Sequence, residues 1–278
     1  MREQGKTRLG SLVIYLILVV YAVVSVGPFL WSVSISFART EEVDLLTSNG
    51  FLPPHPTLDN YRLYLNQPLF LRWVMNSFLV AGVTTLGLLA FNSLAGYALA
   101  RIRFPGRNFF FWLILATMMV PSVVIIVPQY VLLNKLGWLN SYQGLTVPFM
   151  ANAFGVFLMR QFFLSIPADL EEAARLDGLS RFGIFWRVIL PLARPALAAQ
   201  LIFQFLGQWN GFMWPFLIAR APEMFTLTVG LQSFKAVYYS FWNQVLAGSM
   251  FLTVPVVIVF LIFQRWFVQG ITLTGMKG

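Results

Sequence analysis

Of 278 residues, 58% are hydrophobic and only 10% are charged, at a mean hydropathy of +0.74. Soluble domains hold roughly 45–50% apolar residues, so the composition excludes an ordinary water-soluble domain and points to an all-α membrane protein. The net charge of +9 is spread over short loops and tails rather than one stripe, which argues against a nucleic-acid partner. The absence of cysteine excludes disulfides, a thiolate nucleophile and Cys-based metal sites.

Apolar runs of about the 20 residues needed to cross a bilayer lie at 11–37, 73–100, 108–133, 144–159, 195–219 and 245–264. The fourth is short, and extension through Arg160 to Phe163 restores its length by snorkelling. Charges, prolines or polar clusters separate the runs, so six transmembrane helices are expected, with both termini on one side. Thirteen of the 19 Lys and Arg residues fall on that side, which the positive-inside rule makes cytoplasmic. The first run exceeds the apolar core of a cleaved signal and reads as a retained first helix.

The loop 38–72 carries Pro53, Pro54 and Pro56 around His55, the only histidine, which reads as a loop residue rather than a ligand. A short helix is expected to follow, started by Thr57 or Asp59 and running to Leu65. The second run is rich in small residues, from Ala81 and Gly82 to Ala95 and Gly96, which allow close helix approach inside a bundle. Gly207 and Gly211 form a lone G-x-x-x-G, weak evidence of a dimer face.

Pro121 and Pro128 in the third run, Pro148 in the fourth, Pro215 in the fifth and Pro255 in the sixth each remove a helical hydrogen bond. They read equally as determinants of bundle shape or as hinges around a pathway.

No Asp, Glu, Lys, Arg or His falls inside the six runs, so the chain lacks parts for ion coupling or hydrolysis. The "GKT" at 5–7 lacks the upstream glycine, strand and soluble helix of a phosphate loop. Any uphill transport therefore needs another subunit to hydrolyse nucleotide. In the fifth run Gln200, Gln204 and Gln208 recur every four residues, beside Trp209, Asn210 and Trp214. Amides of this kind serve as interhelical glue or as a polar face toward a solute; Gln204, Gln208 and Asn210, with Trp209 and Trp214 as stacking surfaces, form the candidate path.

The stretch "LEEAARLDGLSRFGIFWRVILP" at 170–191 is polar at its start. Ser165 is placed to cap a helix, Pro167 suits its first turn, Asp169, Glu171 and Glu172 favour its N-terminus, and Gly178 ends it. Glu171 and Glu172 can each pair with Arg175 on the surface. Ala173 and Ala174 leave bare surface for another protein to approach. Ser180 then caps a second helix whose Phe182, Phe185, Trp186 and Ile189 form a stripe against the membrane face of the bundle, stopped by Pro191.

Glu172-Ala173-Ala174, Gly178 and Val188-x-Leu190-Pro191 have the spacing of the cytoplasmic EAA signature, with Val188 in place of isoleucine. With "TLDNYR", "RFPGR", "LMRQFFLSIP", "WNGFMWP" and "QRWFVQGITLTGMKG", the chain resembles the permeases of ABC importers over most of its length, specifically the six-span subunit of the maltose-type carbohydrate branch.

The resemblance implies a type I permease fold in three parts: 1–70 with the tail, first helix and external loop, 71–264 as the core with the EAA loop at 165–191, and a cytoplasmic tail at 265–278. It also implies a bacterial cytoplasmic membrane, a homologous second permease, two ATP-binding-cassette ATPase subunits and an extracellular or periplasmic solute-binding protein. No cofactor is expected on this chain, ATP and Mg2+ belonging to the partner ATPase. Glu171, Glu172, Ala173, Ala174, Asp177 and Gly178 are assigned to ATPase coupling, with Glu172 making contact, the alanines allowing a close fit and Gly178 making the turn; by analogy with the maltose system, the residues near Lys277 are expected to reach the same ATPase dimer. The expected function is ATP-driven import of a sugar, a di- or oligosaccharide, by alternating access. A polyol or glycerol phosphate is the alternative solute, and an ATP-independent channel or scaffold the alternative class.

Overall fold

A computed structural model describes residues 2–44, 46, 50–237 and 241–275, with side chains over 11–44, 46, 50–233 and 241–264. The tail assignment at 265–278 and Lys277 therefore lies outside the described side chains. The chain runs through α1 (Arg2–Ser36), α2 (Asp59–Leu65), α3 (Phe70–Arg101), α4 (Arg107–Ala116), α5 (Ser122–Lys135), α6 (Tyr142–Thr146), α7 (Ala153–Ser165), α8 (Asp169–Leu176), α9 (Arg181–Leu192), α10 (Arg194–Trp209), α11 (Met213–Ile218), α12 (Leu227–Val237) and α13 (Trp242–Gly275).

Three stretches, Ser11–Ser36, Phe70–Arg101 and Trp242–Gln264, are unbroken helices long and apolar enough to span a membrane. Three further candidates are bent pairs: Arg107–Met119 with Ser122–Lys135 at 101°, Tyr142–Phe149 with Ala153–Ser165 at 43°, and Arg181–Leu192 with Arg194–Trp209 at 76°. The count is therefore three unbroken spans, or six if each bent pair is one span, and the last bent pair, which ends at Trp209, is shifted from the expected run 195–219. Pro121 sits at the sharpest bend, with Val120 held extended before it. Pro148 lies in the 3-10 turn between α6 and α7, and Pro191 and Pro195 flank the bend at Ala193. Pro128 and Pro255 lie inside continuous helices. The fifth expected run, 195–219, breaks at 210–212, ahead of Pro215.

One compact unit comprises Met1–Pro68 and Phe234–Thr253. In it, α1 is exposed along most of its described length, while Ile35 in its last turn and Ala38, Val43 and Leu46 beyond it are buried. Asn60 donates to the carbonyls of Ser36 and Ala38 at 2.9 and 2.8 Å, and Asn243 donates to Ala38 O at 3.0 Å and Asn60 Oδ1 at 3.1 Å. These amides satisfy carbonyls orphaned where α1 stops. Helix α2 begins at Asp59, whose N–H is received by Thr57 Oγ1 at 3.2 Å. His55 Nδ1 lies 2.7 Å from Glu42 Oε1.

The other unit comprises Leu69–Ser233 and Val254–Gly278. Here α3 packs against α7 and α10. A Cβ on Gly96 would fall 2.7 Å from the Met159 Cβ, so close approach requires a glycine there. A polar knot joins the three helices: Asn92 Nδ2 donates to Gln200 Oε1 at 3.3 Å, Gln200 Nε2 to Gly155 O at 2.9 Å, and Asn152 N to Asn92 Oδ1 at 3.2 Å. Asn152 Oδ1 also caps α7 by accepting from Gly155 N.

A Cβ at residue 155 would lie 1.8 Å from Asn92 Nδ2, so Gly155→Val is expected to leave little folded protein after detergent extraction. Gln200→Leu should fold with stability lowered by about 1–2 kcal/mol, the upper range for interhelical hydrogen bonds, read by thermal unfolding of the same preparation. In the other unit, the hydrogen bond from His55 holds the Glu42 pKa below its ordinary value. A depressed folded pKa gives stabilisation that is present at neutral pH and lost as pH falls through the folded value, which lies below the ordinary glutamate range. Proteolysis of the 50–58 loop should accelerate over that acid range in wild type, and Glu42→Gln should flatten the dependence.

Candidate functional site

The site is assembled around the short polar helix α8. Ser165 ends α7, its hydroxyl donating to Phe162 O at 2.7 Å, and Ile166 is extended ahead of Pro167. The expected Ser165 cap is therefore corrected: the N-cap position is Ala168, with no side-chain cap, and Pro167 lies before the helix. Asp169, Glu171 and Glu172 do occupy the first turn, where carboxylates oppose the positive end of the helix dipole.

At the other end Gly178 adopts φ +83°, Gly178 N donates to Arg175 O and Leu179 N to Ala174 O, each at 3.1 Å. This is the Schellman stop, in which a residue beyond the helix bonds back over the left-handed glycine. Leu179 continues into the apolar cluster that Ala174 enters.

The two faces of α8 differ. Inward, Glu171 is 8% exposed and forms an ion pair with Arg101, Oε1 to Nε at 3.0 Å. Arg101 Nη2 also donates to Phe163 O at 2.7 Å and to Ile166 O. One guanidinium at the end of α3 thus holds the carbonyls ending α7 and the carboxylate starting α8. Ala174 is buried beside Tyr97, Phe163, Ile184 and Phe185. Outward, Glu172, Ala173 and Asp177 are exposed, and Leu176 is 90% exposed.

Three sequence expectations change as a result. The close fit at Ala174 is made with the chain's own core, leaving Ala173 as the bare outward position. Glu171 pairs with Arg101 rather than Arg175, because residue 171 falls on the inner face; among the described residues neither Glu171 nor Glu172 pairs with Arg175. Helix α9 also departs from a regular stripe. Ser180 caps it as expected, accepting from Gly183 N at 3.2 Å, but Phe185–Ile189 forms a π turn. Pro191 lacks an N–H and crowds the carbonyl four residues back, and the wider turn just before it relieves that clash. Phe185 and Ile189 consequently enter the core, whereas Phe182 and Trp186 are 65% and 52% exposed.

The candidate path residues also separate. Trp209 is 1% exposed, with Phe78 and Phe205 rings at 4.6 and 5.7 Å, and Trp214 is buried with its indole N–H donating to Gly144 O at 3.0 Å. Both indoles are occupied by the protein, so neither offers a stacking face in this conformation. Gln200 belongs to the polar knot. Gln204 and Gln208 are half-buried and Asn210 is exposed at the break after α10. Among the described residues no three His, Asp or Glu side chains converge as a metal site.

Sequence reasoning missed Arg101 and Asn92 as organisers. Arg101 was legible only as one of several loop cations, because its partners come from 60 to 70 residues away. Asn92 lies in an apolar run, where an amide requires a partner.

Residues 92–273, which include α8 and α9, match the model of the family described as binding-protein-dependent transport system inner membrane component. The chain is 41% identical over 227 residues to the arabinooligosaccharides transport system permease protein AraQ of Bacillus subtilis (strain 168), covering 81% of each. It is 42% identical over 200 residues to the sn-glycerol-3-phosphate transport system permease protein UgpE of Yersinia pestis bv. Antiqua (strain Antiqua), covering 71% of each. Its fold matches a chain in the crystal structure of a bacterial ABC transporter involved in the import of the acidic polysaccharide alginate, with a TM-score of 0.80 at 28% identity over 94% of this chain and 97% of that one. The broken spans, the tethered polar helix and these matches together make the chain a member of the binding-protein-dependent transport system inner membrane component family, a permease subunit of an ABC transporter.

Proposed function

We propose that this permease works in an ATP-driven importer that brings a sugar, a di- or oligosaccharide, across the bacterial cytoplasmic membrane. Its companions are a homologous second permease, two ATPase subunits that carry ATP and Mg2+, and a solute-binding protein outside. The observation that carries the coupling part of this reading is the two-faced helix α8. Its inner face is fixed to the core by Glu171 and Ala174, while its outer face presents Leu176 and a bare Ala173 between Glu172 and Asp177. A helix with one face fixed transmits a push to α3 and α7 rather than fraying under it. Its outer face offers an apolar side chain rimmed by carboxylates, a surface suited to a cleft in a soluble ATPase. The positive-inside count supports a cytoplasmic position for that face and both termini.

Closure of the ATPase dimer on nucleotide would move α8 and its counterpart on the second permease, favouring the outward-open state. The free energy available equals the differential affinity of nucleotide for the two states. The sugar assignment is supported by the relatives for arabinooligosaccharides and alginate. Glycerol phosphate is the second reading, favoured by the UgpE match. Gln204, Gln208 and Asn210 are the chain's own candidates for the solute path; Trp209 and Trp214 are assigned to packing. Pro121, Pro148 and Pro215 stand at or beside the breaks where α4, α6 and α10 give way to the next helix, and hinge motion is assigned there rather than to Pro128 or Pro255.

Glu172→Lys should insert normally yet lose most transport, with ATPase activity of the assembled complex no longer stimulated by loaded binding protein. Unchanged transport by that variant would favour an ATP-independent channel instead. Gln204→Leu and Gln208→Leu should raise the KM for solute uptake by roughly ten-fold, about the effect of losing one hydrogen bond to an uncharged ligand, without lowering the amount of assembled transporter. A KM equal to wild type in both would move the path to the partner permease.

A further inference from the structure

The described core unit holds an apolar groove of about 460 Å³ that the transport reading does not use. Its walls come from α3 through Leu86, Ala90 and Leu94, from α10 through Leu197 and Leu201, and from Phe263 on α13. Between Leu86 and Leu94 the helix rises ~12 Å, against a leaflet hydrocarbon depth of ~15 Å. Only the end at α9 and the start of α10 is polar.

There Arg194 lines the mouth, exposed, with no hydrogen bond or ion pair among the described residues. It is the first residue of α10, where the helix dipole disfavours a cation; the positive-inside bias accounts for a cation on this side, and its side chain is left free to meet an anion. Trp186, 52% exposed, stands at the same mouth, the position of an interfacial aromatic. In the wall, Ser93 is 2% exposed and its hydroxyl finds no partner among the described residues.

We infer that this groove is a binding site for an anionic glycerophospholipid, one acyl chain lying along α3 and α10 and the phosphate meeting Arg194. Three features select that occupant. The groove is long, narrow in polarity and as deep as most of one leaflet. Its single charge is a cation, Arg194, at the end formed by α9 and the start of α10. Its wall holds an unpartnered hydroxyl, that of Ser93, for which the ester oxygens of a glycerophospholipid supply acceptors. A bare apolar helix would leave both Arg194 and Ser93 unanswered. The lipid would brace the bend between α9 and α10, joining the α8–α9 loop to the core.

The test uses the assembly that co-purifies with the full-length chain, extracted in mild detergent. It is titrated separately with dioleoylphosphatidylglycerol and dioleoylphosphatidylcholine, and bound lipid is counted by native mass spectrometry. Phosphatidylglycerol should be held roughly five-fold more tightly, the usual effect of one basic residue at an anionic surface. Arg194→Gln should reduce it to the phosphatidylcholine level, and excess inorganic phosphate should not displace it. Equal retention of the two lipids, an unchanged Arg194→Gln variant or full displacement by phosphate would overturn the assignment.

Because the chain has no cysteine, Leu94→Cys provides its single thiol for a benzophenone label in nanodiscs of the same two lipids. A phospholipid adduct supports the site. An adduct with a second polypeptide would overturn it by showing that a protein helix fills the groove.

Discussion

The arrangement of the polar loop depends on the guanidinium of Arg101. A helix ending inside or beside a membrane leaves carbonyls that neither water nor the next residue can satisfy. Arg101 meets that requirement at Phe163 and Ile166, and with its remaining nitrogen meets the Glu171 carboxylate. Breaking such a buried pair by removing one partner typically costs about 3–5 kcal/mol, because the other charge is left uncompensated. The position of α8 is therefore set by the packing of α3 against α7, and a displacement of α8 must either carry both helices or break the tether. A polar helix tied in this way is suited to pass on a movement that begins outside the membrane.

Broken helices form the second theme. The bends at Pro121, at the 147–152 segment and at Ala193 interrupt hydrogen-bond ladders in a setting where each lost bond is expensive. The sequence supplies specific remedies: Asn152 caps the restarted α7, the π turn absorbs Pro191, and Asn92 with Gln200 pins three helices beside the breaks. A bundle built from satisfied breaks can bend at those points without exposing backbone. Helix α3 runs without such a break.

Division of the amide residues follows from the same economy of polar groups. Gln200, deepest along α10, is consumed by helix–helix bonding, whereas Gln204 and Gln208 on the following turns keep their amides uncommitted among the described residues. The aromatic residues around them are consumed by packing: the indoles of Trp209 and Trp214 are sealed by Phe78, Phe205 and Phe149. Large rings near a break fill the space that a kink opens, and their N–H groups find backbone carbonyls, as Trp214 does at Gly144.

By itself the sequence determined the class of protein, the apolar segments and the C-terminal limit of the polar helix, because these rest on composition, run length and short-range signals; its start, expected from Ser165 and Pro167, fell instead at Ala168 and Asp169. Gly178 needed only its own backbone freedom to end α8, and Ser180 only the amide three residues on to start α9. The spacing of the EAA signature carried the family for the same reason. What only the tertiary structure decided is which way each side chain faces. Glu171 and Glu172 are indistinguishable in a string of letters, yet one is buried on Arg101 and the other faces out, since a rotation of 100° per residue has meaning only once α3 and α7 fix which side is inside. Ala173 and Ala174 divide in the same way. The π turn escaped the periodicity of Phe182, Phe185, Trp186 and Ile189 because that periodicity assumes 3.6 residues per turn. The fates of Trp209 and Trp214 depended on partners as many as 131 residues away, a distance over which no local pattern carries information.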